Sequence, residues 1–449
     1  MSRSRPSPAT ASPPGAAGRG RPRPVSAGRR WTPLRVALVG ATTIGLSLLI
    51  TRGIVGWNEA RARSLEVACK RAHEAGRYEE EERLARAWMK AAPGAAAPIF
   101  FLAEAQLGLG RSRDAAATFA TLPDGDPLTI PGLSDRADIL FGELSDPREG
   151  ARTCERILAQ DPANVEAHRR ACFFSAITLD RRRLAEQARR AIDAGADLPE
   201  TFVYLLGASW LTLSNTLAVN SHWLERAPDD ETFLVAAARG FVSSSGLEDE
   251  VVSAESPETL VEPEHDRRMR ELLERFPGNR ELLAYFLQKA STRGDLPRVT
   301  DLLSQVPADA EGDNRFWRFK GWVHEQAGEV EEAEAAHRRA LEIDPFDFLT
   351  RHQLAGVLRK AGRTDEAAEP ARLAAEGRNL RKRILQAPDV RAIPPDILAE
   401  MASYARDCGA AGIAERLAQR IAQLDGQGTG RRAGGGGPPI SRPPGVQFP

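Results

Sequence analysis

Small and apolar positions recur along this chain at a spacing that a single helix cannot produce. In AGEVEEAEAAHRRALEIDP, residues 327–345, alanines stand at fixed offsets between a glycine and a closing proline. Laying 314–347 over 348–381 aligns Gly321 with Ala355, Gly328 with Gly362, Ala333 with Ala367 and Ala340 with Ala374, a period of 34. The pattern predicts two antiparallel helices per period, because such helices cross closely only where side chains are small. Gly328 and Gly362 end the first helix of each pair, where a left-handed residue is wanted. Thr364 can cap the following helix, with Asp365 and Glu366 at its positive end. The same unit recurs near the other end, where Gly76 and Gly110 are 34 apart, as are Pro93 and Pro127. There Cys69, Ala103 and Ala115 take the small positions, and Glu81 stands where alanine is expected. Weaker units are read around Ile157–Pro162, Cys172–Ala188, Leu205–Trp223, Leu282–Val306 and Met401–Ile421.

A 34-residue period of small residues means stacked helix pairs, each burying its apolar face on its neighbours. The run Trp317-x-x-Lys320-Gly321-x-x-His324, followed by Gly328, Ala333, His337, Ala340 and Pro345, resembles the tetratricopeptide repeat (TPR) family. His324 and His337 depart from that family's pattern, which has large apolar or aromatic residues there. The resemblance implies an all-α, TPR-like right-handed α-solenoid whose concave groove binds a protein or peptide. It also implies which residues face the groove: Arg315, Arg318, Trp322 and Glu325 in one unit, and Leu349, His352, Gly356 and Arg359 in the next. Arginine forks and one large aromatic suit an extended or carboxylate-bearing segment. The asparagine and lysine of the subtype that clamps a C-terminal carboxylate are absent from the matching positions.

Ahead of the repeats the pattern changes. Residues 1–33 are rich in Pro, Ser, Gly, Ala and Arg, which predicts disorder. Val36–Thr51, VALVGATTIGLSLLIT, is uncharged, and extending it to 34–57 gives a helix of roughly 36 Å at 1.5 Å per residue, enough to cross a bilayer. Trp31 and Trp57 flank it as interfacial anchors, so one transmembrane helix is expected. The arginines before it favour the tail in the cytoplasm and the body on the extracytoplasmic side, the periplasm of a Gram-negative bacterium. The body then reads as TPR-like repeats over 59–245, an acidic loop at 246–266, TPR repeats over 267–378, a linker at 379–396, a terminal helix pair at 397–425 and a disordered tail at 426–449.

Charge and composition narrow the chemistry. The 449-residue chain carries −1 overall, and residues 1–58 hold nine arginines and no acid, so the remainder carries −10. An acidic body without a concentrated basic face argues against nucleic acid as a partner. Cys69, Cys154, Cys172 and Cys408 are scattered without a metal or disulfide spacing, and read as buried free thiols. Among seven histidines none is paired at i, i+4, and no phosphate loop or nucleophile elbow occurs. The expectation is a membrane-anchored scaffold, not an enzyme, without metal or cofactor. A solenoid-based enzyme acting on an envelope polymer and a self-associating structural spacer are the alternatives.

Overall fold

The computed structural model describes residues 33–244, 264–387 and 389–430; of these, the side chains of 33–50, 53–54, 242–244 and 425–430 are outside the description. Of the segments expected to be disordered at the two ends, residues 1–32 and 431–449 lie outside the described residues, as does most of the acidic loop; residues 426–430, expected in the disordered tail, instead continue the last helix, Ala411–Gly430. Twenty α-helices and one 3-10 turn make up the described chain, with no strand among the described residues.

The first helix, α1, spans Pro33–Glu74, and the chain divides within it into a unit of residues 1–63 and a unit of residues 64–449. In the first unit Val55 and Trp57 are exposed, and the Arg61 guanidinium lies 5.1 Å from the Trp57 ring. The expected anchor falls mostly on residues whose side chains are outside the description; among the described residues no helix is long and apolar enough to cross a membrane.

The second unit is an array of helix hairpins. The C-terminal part of α1 pairs with α2 (Tyr78–Ala91), α3 (Ala96–Gly108) with α4 (Ser112–Phe119), α5 (Thr129–Phe141) with α6 (Pro147–Gln160), and α7 (Val165–Ile177) with α8 (Arg181–Asp193). Two short helices follow, α9 (Pro199–Leu206) and α10 (Thr216–Leu224), then α11 (Glu231–Ser244) and α12 (Glu264–Arg275). Regular hairpins resume with α13 (Arg280–Thr292) and α14 (Leu296–Ser304), then α15 (Asn314–Ala327) with α16 (Val330–Ile343), α17 (Phe348–Lys360) with α18 (Thr364–Gln386), and α19 (Pro395–Asp407) with α20 (Ala411–Gly430).

One turn builds these hairpins. Gly76, Gly110, Gly294, Gly328 and Gly362 all have φ between 64° and 79°. The Gly328 amide donates to the Glu325 carbonyl and the Glu329 amide to the His324 carbonyl, the paired bonds of a Schellman close, and the same pair recurs at Gly76, Gly110, Gly294 and Gly362. Two members carry no glycine. Leu179 (φ 59°) closes with the same pair of bonds 69 residues after Gly110, and Ser145 (φ 48°), 35 after it, closes a looser variant in which the Asp146 amide donates to the Leu140 carbonyl. A side chain in the left-handed region costs roughly 1–2 kcal/mol. The residue after each, Asp146 and Asp180, caps the next helix by accepting from the Glu149 and Arg183 amides, which offsets part of that cost. At the α18 start the cap position falls on Arg363, so Thr364 is the first helical residue and not the cap.

Small residues mark the crossings. Cys69, Ala103, Ala137 and Ala171 follow one another at 34-residue steps in the first helices and are buried, as are Ala115, Ala333, Ala340, Ala355, Ala367 and Ala374. Glu81, the departure in this set, is fully buried and receives His73 Nδ1 at 3.0 Å.

The array also returns on itself. Its largest core joins Phe202, Val203, Leu205 and Trp223 from the middle to Leu373, Ile384, Leu398, Met401 and Leu417 near the C-terminus. Fully burying each of these apolar side chains contributes about 1.5–3 kcal/mol. The buried Asp197 carboxylate accepts from Arg416 Nε at 2.7 Å and Arg420 Nε at 3.0 Å, tying α20 to the α8–α9 connection. This return explains one difference from the expected boundaries: α18 continues to Gln386, into the first half of the expected linker, because Leu380 and Ile384 enter this core.

Candidate functional site

The residues expected to line the groove separate into two groups. Asp313 caps α15 by accepting from the Arg315 amide, and its carboxylate also receives the Arg315 guanidinium through Nε at 2.9 Å and a terminal nitrogen at 2.7 Å. That guanidinium also pairs with Glu281 Oε1 on α13 at 2.6 Å, and Arg181 of α8 reaches Glu281 Oε2 at 3.4 Å and the Leu211 carbonyl. Arg315 is 6% exposed. Burial alone would raise the Glu281 carboxyl, but the charges of Arg315 and Arg181 outweigh it and hold the group down at about 2.

Arg318 is equally buried, 3.5 Å from Asp347 Oδ2 and 3.2 Å from Gln288 Oε1, with its guanidinium 4.9 Å from the Phe319 ring. Burial, with the nearby Arg315 charge, pulls its pKa below the usual arginine range despite Asp347. Trp322, 8% exposed, packs in a core with Met269, Leu282, Phe316 and Phe319. Arg315, Arg318 and Trp322 are therefore interior residues and do not line an open groove. Their face is covered by α13 and by the middle of the chain, and the carboxylates that neutralise them come from Glu281, Asp313 and Asp347.

The second group stays at the surface. His352 and Arg359 are exposed on α17, with Gly356 between them on the same face. A β-carbon at Gly356 would meet nothing within 4 Å, so a partner's backbone has room there. Glu325 of α15 pairs with Lys360 at 2.7 Å and closes one edge. Arg378 of α18 joins the cluster: burial, then the charges of Arg378 and Arg359, depress the His352 pKa. Neither Arg359 nor Arg378 has an ion-pair partner among the described residues. Two exposed guanidinium groups beside a neutral imidazole form a surface that accepts carboxylates through charge-assisted hydrogen bonds. The sequence does not single out Arg378, since it enters through the crossing of α18 over α17 and belongs to no repeated column.

The four cysteines are free thiols, and burial pushes Cys69, Cys154 and Cys172 up to about 12. Such thiols are inert as nucleophiles. Among the described residues no group of His, Cys, Asp and Glu is arranged to hold a metal ion.

No family model matches the chain, and no curated protein matches it. Solved structures similar to it are helical-repeat proteins. A tetratricopeptide repeat protein from Parabacteroides merdae is 14% identical with a TM-score of 0.24, covering 67% of this chain and 99% of that one. The human IFIT1 dimer with m7Gppp-AAAA is 14% identical with a TM-score of 0.30, covering 80% of this chain and 89% of that one. Cut9, in the APC/C hetero-tetramer Cut9–Hcn1, is 13% identical with a TM-score of 0.27, covering 82% and 80%.

Proposed function

We propose that the chain is a membrane-anchored helical-repeat scaffold, not an enzyme, that recruits a protein or peptide partner for envelope assembly or a chaperone-type task. Residues 34–57 supply the anchor in this reading, with the helical body on the extracytoplasmic side. The observation that carries the binding role is the exposed row His352, Gly356 and Arg359 with Arg378 beside it. It is a cationic face, its two arginines without an ion-pair partner among the described residues, on an otherwise acidic body, suited to an acidic segment of a protein rather than to a nucleic-acid backbone.

Cross-linked capture from native membranes tests it, comparing wild type with Arg359→Glu/Arg378→Glu after confirming that the variant is folded. The expected result is a small set of captured proteins that the variant loses and that raised salt weakens. The same set with both chains, or no capture, rejects this face. Carbonate extraction of a variant lacking 34–57 tests the anchor separately, with release from the membrane fraction expected.

A further inference from the structure

The turn between α16 and α17 is where the C-terminal hairpins meet the middle of the chain, and it carries two buried carboxyl groups, Asp344 and Asp347. They are not equivalent. Asp347 is fully engaged: it accepts from the Leu349 and Thr350 amides, from Thr350 Oγ1 at 2.6 Å and from Asn314 Nδ2 at 2.9 Å, with Arg318 at 3.5 Å. Asp344 Oδ1 accepts from the Phe346 amide at 3.0 Å, while its Oδ2 is buried without a hydrogen-bond partner among the described residues.

The surroundings of Asp344 come from several elements. Ser209, in the connection after α9, and Arg189 of α8 at longer range both favour the charged form of the carboxyl. From α15, Arg318 senses Asp344 as well as Asp347. From α17, Arg351 donates to the Pro345 carbonyl at 2.8 Å, and from α19, Tyr404 donates to the Phe346 carbonyl at 3.1 Å, with Cys408 close by. Arg318 is committed to Asp347 and Arg351 to Pro345, so Asp344 sits beside a second carboxylate without an ion-pair partner among the described residues.

A buried carboxylate oxygen left bare next to another negative charge is stabilised by a proton. We propose that Asp344 is a proton-sensitive latch at this seam: protonated, it lets the C-terminal hairpins close on the middle of the chain; when its Oδ2 proton passes to solvent, the seam loosens. The group's place in the structure sets the range, since burial and then the Asp347 charge push the carboxyl up to about 7. In an opened seam it returns to its ordinary value of 3.8. Opening is therefore favoured progressively as pH rises between those values and levels off above the upper one.

Hydrogen–deuterium exchange of the full chain, corrected for the intrinsic pH dependence of exchange, tests this at the amides of 207–213 and 344–347. The expected result is that protection falls about tenfold per pH unit between about pH 5 and 6.5 and levels off above about pH 7. Asp344→Asn removes the titrating proton and should give a flat profile. Ser209→Ala, which removes a neighbouring dipole favouring the charged form, should keep the slope and move the levelling-off to higher pH. A flat wild-type profile overturns the proposal, as does an Asp344→Asn profile with the wild-type slope. Should Asp344→Asn not fold, the wild-type and Ser209→Ala profiles decide by the same criterion.

Discussion

Gly321 lies directly under the imidazole of His337: a β-carbon built on Gly321 would be 2.6 Å from Cε1 and 2.7 Å from Nδ1 of that ring. The relationship joins a residue that fits the repeat pattern to one that departs from it. His337 is fully buried where a large apolar or aromatic side chain is expected, and Gly321 on the facing helix provides the space it fills. Neither ring nitrogen has a hydrogen-bond partner, and burial, then the Arg318 charge, depresses the His337 pKa to about 4, so the ring packs as a neutral, nearly apolar plate.

Gly321→Ala should therefore destabilise the chain by about 1–3 kcal/mol, the cost of overpacking a filled core. Combining it with His337→Ala should recover much of that loss, because the added methyl then enters vacated space. Denaturant unfolding of the two single variants and the double variant gives the coupling directly. Additive losses would mean that the ring is not what limits residue 321.

Gly356 and Gly362 make an opposite pair. A β-carbon meets nothing within 4 Å at either, so sterics are removed from the comparison. Gly356 is inside a helix, and Gly356→Ala should stabilise by about 0.5–1 kcal/mol through helix propensity. Gly362 has φ 76°, and Gly362→Ala should destabilise by roughly 1–2 kcal/mol through backbone strain alone. Shifts of opposite sign in the unfolding midpoint are expected; shifts of the same sign would contradict the left-handed turn.

These turns show how far the sequence could be read. Gly76, Gly110, Gly328 and Gly362 were legible because glycine is the residue that enters the left-handed region without strain. Ser145 and Leu179 join hairpin helices at left-handed φ without glycine and are invisible in the sequence, since the array forces the conformation and Asp146 and Asp180 supply the caps. The small columns were legible for the same steric reason. The groove was not: a repeat pattern says which face of α15 Arg315 and Trp322 occupy, but whether that face meets water depends on how α13 and the chain's middle pack against it, which the period does not encode. Buried arginines with carboxylates 2 to 34 residues away, such as Arg315 with Asp313 and Glu281, look like surface charges in one dimension.

Arg315→Met should cost about 3–5 kcal/mol, because it leaves Asp313 and Glu281 buried without their shared cation. Replacing Asp313 and Glu281 by Asn and Gln in the same chain should return part of the loss, since the unpaired charge rather than the missing contact dominates. The check is urea unfolding of the single and triple variants. If Arg315→Met behaves like an ordinary surface change, within about 0.5 kcal/mol, the buried network is not formed in solution.

His337 and Asp344 should give opposing pH dependences that conceal each other in the wild type. His337 has its folded pKa depressed from 6.5 to about 4, so the unfolded chain binds more protons in that window and stability is lost as pH falls through it, up to about 3 kcal/mol. Asp344 has its folded pKa raised from 3.8 to about 7, so the folded chain binds more protons and stability is lost as pH rises through that window, up to about 4 kcal/mol. Between about pH 4 and 6.5 the two slopes have similar size and opposite sign, so this pair should leave wild-type stability nearly level there. Glu281, held down at about 2, contributes a further loss that begins near its ordinary value of 4.5 and grows as pH falls. Asp344→Asn should expose the histidine slope, with stability falling by about 1.4 kcal/mol per unit on acidification, and His337→Gln should expose the reverse. Denaturation midpoints across about pH 4–8 measure both. If the single variants keep the level profile, the two groups do not titrate as their burial requires; slopes of opposite sign place the neutral imidazole and the protonated carboxyl inside the folded chain.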